Sequence, residues 1–282
     1  MISSKLFGVA MIAYFISTFA YIFFLPSRKK GVGSFASIVT WIGFLSQTAG
    51  LILRWKDSYA MGPEFGRIPF TNLFESMVFF SWSLVLVYLG VELKFKYKSF
   101  GAFVIPFSLI ALAYSAFLSD EIEPLVPALQ SYWLHAHVAT CFLGYASFAA
   151  ACGISIIYLL KERGEKRGDN NPNGFLAAFP GTKILDEVNY KIIAVGFPFL
   201  TIGIITGAYW ANYAWGTYWS WDPKETWSLI TWLIYAAFLH ARLTYGWMGR
   251  RTAILSVAGF IMVAFCYLGV NLLLSGLHSY AT

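Results

Sequence analysis

Apolar residues gather into eight runs, near 5–25, 35–54, 70–93, 100–118, 132–160, 189–211, 224–247 and 252–274, each of roughly 18 residues or more. A segment exposed to lipid must satisfy its own backbone hydrogen bonds, so each run predicts a membrane-spanning helix. The polar positions between runs hold the cations in short clusters: Arg28, Lys29 and Lys30; Lys94, Lys96 and Lys98; Lys161, Arg163, Lys166 and Arg167; Arg250 and Arg251. Threading from an outward N-terminus puts all of these clusters on the cytoplasmic side. The opposite loops hold Arg54, Lys56, Arg67 and Lys224 beside Asp120, Glu121 and Glu123. This bias predicts an even number of spans with both termini outside. The first run is expected to be a span and not a cleavable signal, because its basic cluster follows the apolar stretch.

Composition strengthens the reading. The 282 residues are 58% hydrophobic, 19% aromatic and 12% charged, with a mean hydropathy of +0.63; ordinary soluble chains carry roughly 25% charged residues. The chain is expected to be an all-α integral membrane protein. Its net charge of +6 is spread over loop clusters and not over one patch, which argues against a nucleic-acid partner. Cys141, Cys152 and Cys266 lie inside apolar runs without any C-x-x-C pair, so a thiol–disulfide carrier and a c-type cytochrome are both disfavoured. Each reads as a small buried apolar residue. The polar stretch after Lys161 predicts a cytoplasmic loop whose second half, with Phe175, Leu176, Phe179, Ile184, Leu185 and Val188, lies along the membrane surface. One polytopic domain is expected over 1–282, with four N-terminal spans in 1–118 and a core in 125–282.

The densest chemistry lies between the sixth and seventh runs, in Tyr209-Trp-Ala-Asn-Tyr-Ala-Trp-Gly-Thr-Tyr-Trp-Ser-Trp-Asp-Pro-Lys-Glu-Thr-Trp227. Trp210, Trp215, Trp219, Trp221 and Trp227 all fall here, out of 11 tryptophans in the chain. One or two would serve as an interfacial belt at headgroup depth. This density, with a helix break around Gly216, predicts an outward loop over 209–227 that forms a rigid aromatic platform for a large planar ligand. Part of the segment has a structural account. Asp222, Pro223 and Glu225 match N-cap, N1 and N3 of the seventh helix, as in a capping box, which leaves the tryptophans unexplained.

The chain has four histidines. His137, near the outer end of the fifth run, and His278, just past the outer end of the eighth, fall on the side of the aromatic loop. Two neutral imidazoles approaching a porphyrin from opposite faces commonly hold haem iron, and the tryptophans would then lie against the macrocycle. His135 points roughly 200° around the helix from His137, so one of the two is a bystander, and spacing does not say which. His240 lies about 20 Å deeper than Trp227, where an ionisable side chain is a functional candidate. Arg242 is expected to snorkel towards the cytoplasmic headgroups and meet a haem propionate or a lipid phosphate.

These residues resemble a known family. Trp215-Gly-Thr-Tyr-Trp-Ser-Trp-Asp-Pro-Lys-Glu-Thr-Trp227 is similar to the tryptophan-rich (WWD) signature of haem-handling proteins, in the form carried by the CcsA, or ResC, membrane component of system II cytochrome c synthase. Leu129-Gln-Ser-Tyr-Trp-Leu-His-Ala-His-Val138, Leu239-His-Ala-Arg242 and Asn271-Leu-Leu-Leu-Ser-Gly-Leu-His-Ser-Tyr280 match as well. The resemblance covers the chain from about residue 125 to the end, and the first 100 residues are similar only in hydropathy. The Pro-Lys-Glu-Thr continuation favours the CcsA form over CcmC and CcmF.

The resemblance implies that His137 and His278 are the outward axial ligands, the His-Val pair choosing His137, with the five tryptophans and Asp222 around the cofactor. It implies a deeper haem site at His240, completed by a histidine of a partner, a CcsB or ResB-like membrane protein. The chain ends at Thr282, so that partner is expected on a separate chain. Haem b, bound without covalent attachment, would be relayed from the cytoplasmic side to the outer platform and presented to the C-x-x-C-H thiols of apocytochrome c. The setting would be a bacterial inner membrane or a thylakoid membrane. No residue is an obvious general base, so the implied contribution is positioning, of thiols against vinyl groups. A b-type electron-transfer cytochrome would want two ligands inside the bilayer, where the chain offers His240. A transporter of a small organic substrate would want midplane polar groups, and Glu75, near the outer end of the third run, is the acidic candidate.

Overall fold

The computed structural model describes residues 2–125, 127–168 and 174–273. Among the described residues the chain is all helical, without strands: α1 (Ile2–Ser27), α2 (Lys30–Met61), α3 (Leu73–Phe95), α4 (Gly101–Ser115), α5 (Tyr132–Lys166), α6 (Thr182–Trp215), α7 (Pro223–Tyr245) and α8 (Arg250–Ala264). A π-helical turn, Phe265–Gly269, carries α8 on into Val270–Leu273. Each apolar run falls on one helix. Seven of the eight helices are long and apolar enough to cross a membrane. The exception is α7, whose 23 residues include Lys224, Glu225, His240 and Arg242.

Several helices outrun their apolar stretches. α2 continues to Met61 and α5 to Lys166, because the Lys, Glu and Arg residues that follow the hydrocarbon-length core are good helix formers. Pro180 and Gly181 divide the stretch expected along the membrane surface. Phe175–Ala178 forms a 3-10 turn, Phe179 packs on Phe103 with ring centroids 5.7 Å apart, and Ile184, Leu185 and Val188 belong to the first turns of α6. Leu185 and Val188 are fully buried, whereas Phe175 and Ile184 are exposed, so the stretch does not run as one continuous surface segment.

The chain forms two compact units, one of α1–α4 with the turn at Phe175–Ala178, the other of α5–α8. In the first, α1 runs along α2 and α3 along α4. Phe7 and Tyr14, one heptad apart, lie on Gly50 and Gly43, where a Cβ would stand 2.6 Å from either ring. The Tyr14 hydroxyl donates to Gln47 Oε1 at 2.7 Å, and Gln47 Nε2 donates to the Val78 carbonyl at 2.9 Å, which ties α1, α2 and α3 together.

α3 carries a buried carboxylate towards each end. Glu75 Oε1 takes Arg54 Nε at 2.9 Å and faces Arg67 at 3.6 Å; its Oε2 accepts from Thr71 N and Oγ1, both at 3.0 Å. Arg54 also donates to the Asp120 carbonyl at 2.8 Å, and Arg67 to that of Glu123. Glu75 and both arginines are thus engaged with one another, so Glu75 is not the open acidic group a transporter would use. Glu92, at the other end, accepts from the hydroxyls of Ser37 (2.5 Å), Tyr88 (2.5 Å) and Tyr21 (3.1 Å), a second buried carboxylate that hydropathy does not reveal.

In the second unit α5 and α6 pack along their lengths, and α8 lies against α5 and α7. Phe148 of α5 stacks on Tyr235 of α7. At one end Asp186 of α6 gathers three donors: Arg242 Nη1 at 2.5 Å, Gly249 N at 2.8 Å and Thr252 Oγ1 at 2.9 Å. The opposite end holds the aromatic segment.

Candidate functional site

His137 sits between the second and third turns of α5, where it meets Gly203 and Gly207 of α6. These glycines are four apart, a small-xxx-small spacing that lets helices approach closely. A Cβ on Gly207 would stand 2.6 Å from His137 Nδ1, and one on Gly203 would stand 2.5 Å from Cys141 Sγ. In the space left, His137 Nδ1 lies 2.7 Å from the Gly203 carbonyl oxygen. A carbonyl only accepts, so Nδ1 carries the proton and Nε2 the lone pair. The imidazole is half-buried and lies nearly parallel to the Trp210 indole, at 23° with centroids 5.8 Å apart.

From Trp210 the aromatic surface continues. Trp215 meets Trp210 edge-on at 5.0 Å. Trp133, just before His135, stacks on Tyr209 at 4.7 Å, and Tyr218 meets Tyr209 edge-on at 5.6 Å. The connection is shorter than the 209–227 loop expected, because Trp, Ala, Asn and Tyr continue α6 until Gly216, whose φ of +77° closes the helix. Trp210 and Trp215 therefore stand on α6, Trp227 stands on α7, and only Trp219 and Trp221 lie in the link. Trp219 and Trp221 are perpendicular at 5.7 Å. The Trp219 indole N–H is shielded from solvent and has no acceptor among the described residues.

Asp222 and Glu225 form the capping box. Asp222 accepts from Lys224 N at 2.9 Å, and Glu225 Oε2 accepts from Asp222 N at 3.2 Å and Ser220 N at 2.7 Å. The Glu225 carboxylate thereby clasps both sides of Trp221, whose φ of +60° is unusual for so bulky a residue. The result is a 68% exposed indole held at the tip of a fixed turn. Trp227 packs on Phe265 of the π turn at 4.3 Å, and Cys266 Sγ lies 3.7 Å from the Lys224 carbonyl. These contacts bring the last described turns of α8 to the end of the unit that holds His137 and the tryptophans. His278 lies outside the described residues.

The remaining histidines stand apart. His135 faces Tyr132 edge-on at 6.4 Å. His240 is at the far end of α7, exposed, with Thr244 Oγ1 3.4 Å from its Nδ1 and Tyr245 edge-on at 5.6 Å. Arg242 does not snorkel to an outside anion: it is paired with Asp186, donates to the Trp247 carbonyl at 3.1 Å and lies over the Tyr190 ring. Sequence reasoning missed Gly203, Glu225 as the clasp of Trp221, Trp133 and Asp186. Only the Gly203–Gly207 spacing gave a signal for the first of these.

Among the described residues no group of three or more His, Cys, Asp and Glu side chains is arranged to hold a metal ion. What the site offers is one imidazole nitrogen with a free lone pair, set beside flat indole surfaces. That donor set suits a metallated planar macrocycle, whose own ring supplies the other ligands.

Residues 70–278 match the family model described as cytochrome C assembly protein. The chain is 45% identical over 237 residues to "Cytochrome c biogenesis protein CcsA" of Chlamydomonas reinhardtii, covering 82% of this chain and 64% of that protein. The protein of the same description from Porphyra purpurea is 38% identical over 291 residues, covering 90% and 89%. That from Synechococcus sp. (strain CC9902) is 43% identical over 256 residues, covering 83% and 82%. Among solved structures, "Cytochrome c Heme Lyase CcmF" superposes with a TM-score of 0.68 at 16% identity, over 94% of this chain and 46% of that one. At that identity the likeness is one of fold.

Proposed function

The chain belongs to the cytochrome c assembly protein family, in its CcsA branch, and from that premise we propose that it serves cytochrome c biogenesis by holding haem b between His137 and His278. The observation that carries the reading is the His137 contact. Gly203 holds Nδ1–H, so Nε2 is directed as the iron ligand, as outer partners of metal-bound histidines fix tautomer and ring orientation. Trp210 backs the imidazole, and Trp215, Trp219, Trp221 and Trp227 extend the surface on which the macrocycle rests, with the Asp222 and Glu225 cap fixing their turn.

Haem, the cargo, supplies iron for axial coordination and two vinyl groups as the bonding partners of thiols. The chain binds and orients it. His137 and His278 set the tilt of the ring, and the indoles exclude water from its face and hold the vinyl edge towards a C-x-x-C-H segment of apocytochrome c. Two thiols and two vinyls in register gain the effective concentration of an intramolecular reaction. The aromatic end faces the periplasm or lumen, and haem reaches it from the cytoplasmic side past His240. The exposed His240 imidazole of α7 would share iron with a histidine of a CcsB or ResB-like membrane protein.

The experiment is an absorption spectrum of the protein purified with that partner from haem-replete cells. A b-type haem with bis-imidazole features is expected. A colourless preparation, or a haem whose spectrum is indifferent to His137, overturns the reading.

A further inference from the structure

The second unit has an open cavity at its other end, near His240, and we propose that it is a loading site for a planar amphiphile bearing two carboxylates, of the carboxylated tetrapyrrole class. The inference rests on the haem-handling reading above and assigns the place where the cargo is first held. The cavity has a volume of about 700 Å3 and is formed by the end of α5, the link 246–249 and the first turn of α8. It is a hollow open to solvent, so a flat ligand would lie on it with one face uncovered.

Its lining has two chemistries. Tyr158, Tyr245 and Trp247 supply flat apolar surfaces, and Lys166, Arg250 and Arg251 supply cations. Glu162 also lines the cavity, and its carboxylate is matched by Lys166 at 2.8 Å. Among the described residues no carboxylate pairs with Arg250 or Arg251, so two guanidinium groups remain for a ligand. Arg251 lies over the Trp247 ring at 5.3 Å, which places a charge against an aromatic face. Guanidinium forks take carboxylates in bidentate pairs, and two of them beside aromatic walls suit a flat dianion better than a compact one.

The link beneath the hollow is anchored to the rest of the unit. Asp186 accepts from Gly249 N at 2.8 Å, while Arg242, paired with Asp186, donates to the Trp247 carbonyl at 3.1 Å. The link that forms the floor is therefore fixed from within the unit. At Gly249 a Cβ would come 2.6 Å from the Tyr158 hydroxyl, so the wall closes there only because the position is glycine. Tyr245, which lines the cavity, is edge-on to His240 at 5.6 Å. A ring held by the arginines thus sits one aromatic residue from the imidazole that would take it next.

The test uses metal-free protoporphyrin IX, which has the ring and both carboxylates but no iron, so His137, His278 and His240 cannot ligate it. The full chain is placed in nanodiscs of neutral phosphatidylcholine and binding is read by porphyrin fluorescence anisotropy. Saturable binding is expected, weakened about tenfold in Arg250→Gln/Arg251→Gln and unchanged in Arg163→Gln, which removes a charge from the same end outside the cavity. The dimethyl ester should bind weakly and indifferently to the arginines. Equal binding of ester and diacid, equal loss in Arg163→Gln, or displacement of the diacid by phosphatidylglycerol as the tighter ligand would each overturn the proposal, the last by making the cavity a lipid-headgroup site. None of these results bears on axial ligation of iron at His137, which the haem spectrum tests separately.

Discussion

The Nδ1 atom of His137 and the carbonyl oxygen of Gly203 are 2.7 Å apart, across the α5–α6 contact, and that single hydrogen bond decides which imidazole nitrogen faces outward. The bond exists because Gly203 and Gly207 leave room for the ring. In Gly207→Ala the new Cβ would stand 2.6 Å from Nδ1, so the imidazole must turn away. We expect the purified variant to keep near-normal protein yield and to lose most of its haem, by roughly the 10- to 100-fold that removal of a metal ligand's outer partner costs. Gly90→Ala is the control, since nothing lies within 4 Å of its Cβ. Haem per protein by pyridine haemochrome separates the two. Retained haem in Gly207→Ala would show that this contact does not orient a ligand.

The two neighbouring histidines should behave differently. His137→Gly is expected to abolish cytochrome c maturation and to recover partly with external imidazole, because the space left between the Trp210 indole and the Gly203–Gly207 face of α6 has the shape of the lost ring. His135→Gly is expected to leave maturation near the wild-type level, its ring being turned towards Tyr132. Haem staining of a reporter cytochrome, with and without imidazole, is the measurement. Sensitivity of His135 in place of His137 would reverse the ligand assignment.

How much of this was legible in the chain depends on the range of the interaction. Hydrophobic runs and the Asp222-Pro223-Lys224-Glu225 cap are local, and each appears where the sequence puts it. Gly216 ends α6 as expected, but the helix reaches it intact, since no residue between Tyr209 and Trp215 forbids a helix. The partners of the charges are not local. Arg54 and Arg67 look like loop cations until Glu75 and the carbonyls of Asp120 and Glu123 are seen to engage them. Arg242 looks outward-bound until Asp186, 56 residues away in sequence, takes it. The Gly203 carbonyl has no side chain to announce it, and Glu92 hides in an apolar run because hydroxyls, and not cations, receive it.

The cap offers a separation of structural from ligand roles. Asp222→Ala removes the acceptor for Lys224 N and should cost about 1 kcal/mol of helix stability, seen as a small fall in the thermal midpoint. Glu225→Ala should do more to the site than to the fold. It releases Ser220 N and Asp222 N together, and with them the left-handed turn at Trp221. We therefore expect Asp222→Ser to be close to wild type in haem content, and Glu225→Ala to lower haem content while shifting the midpoint no further than Asp222→Ala. Equal loss of haem in Asp222→Ser and Glu225→Ala would instead make the Asp222 carboxylate a direct contact.

The buried pair in the first unit gives the converse case, a charged cluster that should matter for folding and not for haem. Arg54 and Glu75 are each 1% exposed, and Arg67 is 3%. Removing Glu75 leaves two guanidinium groups out of water without a counter-charge, a change that typically costs 3–5 kcal/mol, or about that order here. Glu75→Ala is thus expected to cut the yield of folded protein severely, whereas Glu75→Gln, which keeps one acceptor oxygen for Arg54 and an amide that can donate to Thr71 Oγ1, should cut it less. In whatever fraction folds, haem per protein and its spectrum should match wild type, because Glu75 and the carbonyls of Asp120 and Glu123 already engage both guanidinium groups. Yield by fluorescence-detected gel filtration, set against haem absorbance of the same peak, checks both halves. A normal yield with depleted or spectrally altered haem would make Arg54 and Arg67 part of the haem site instead.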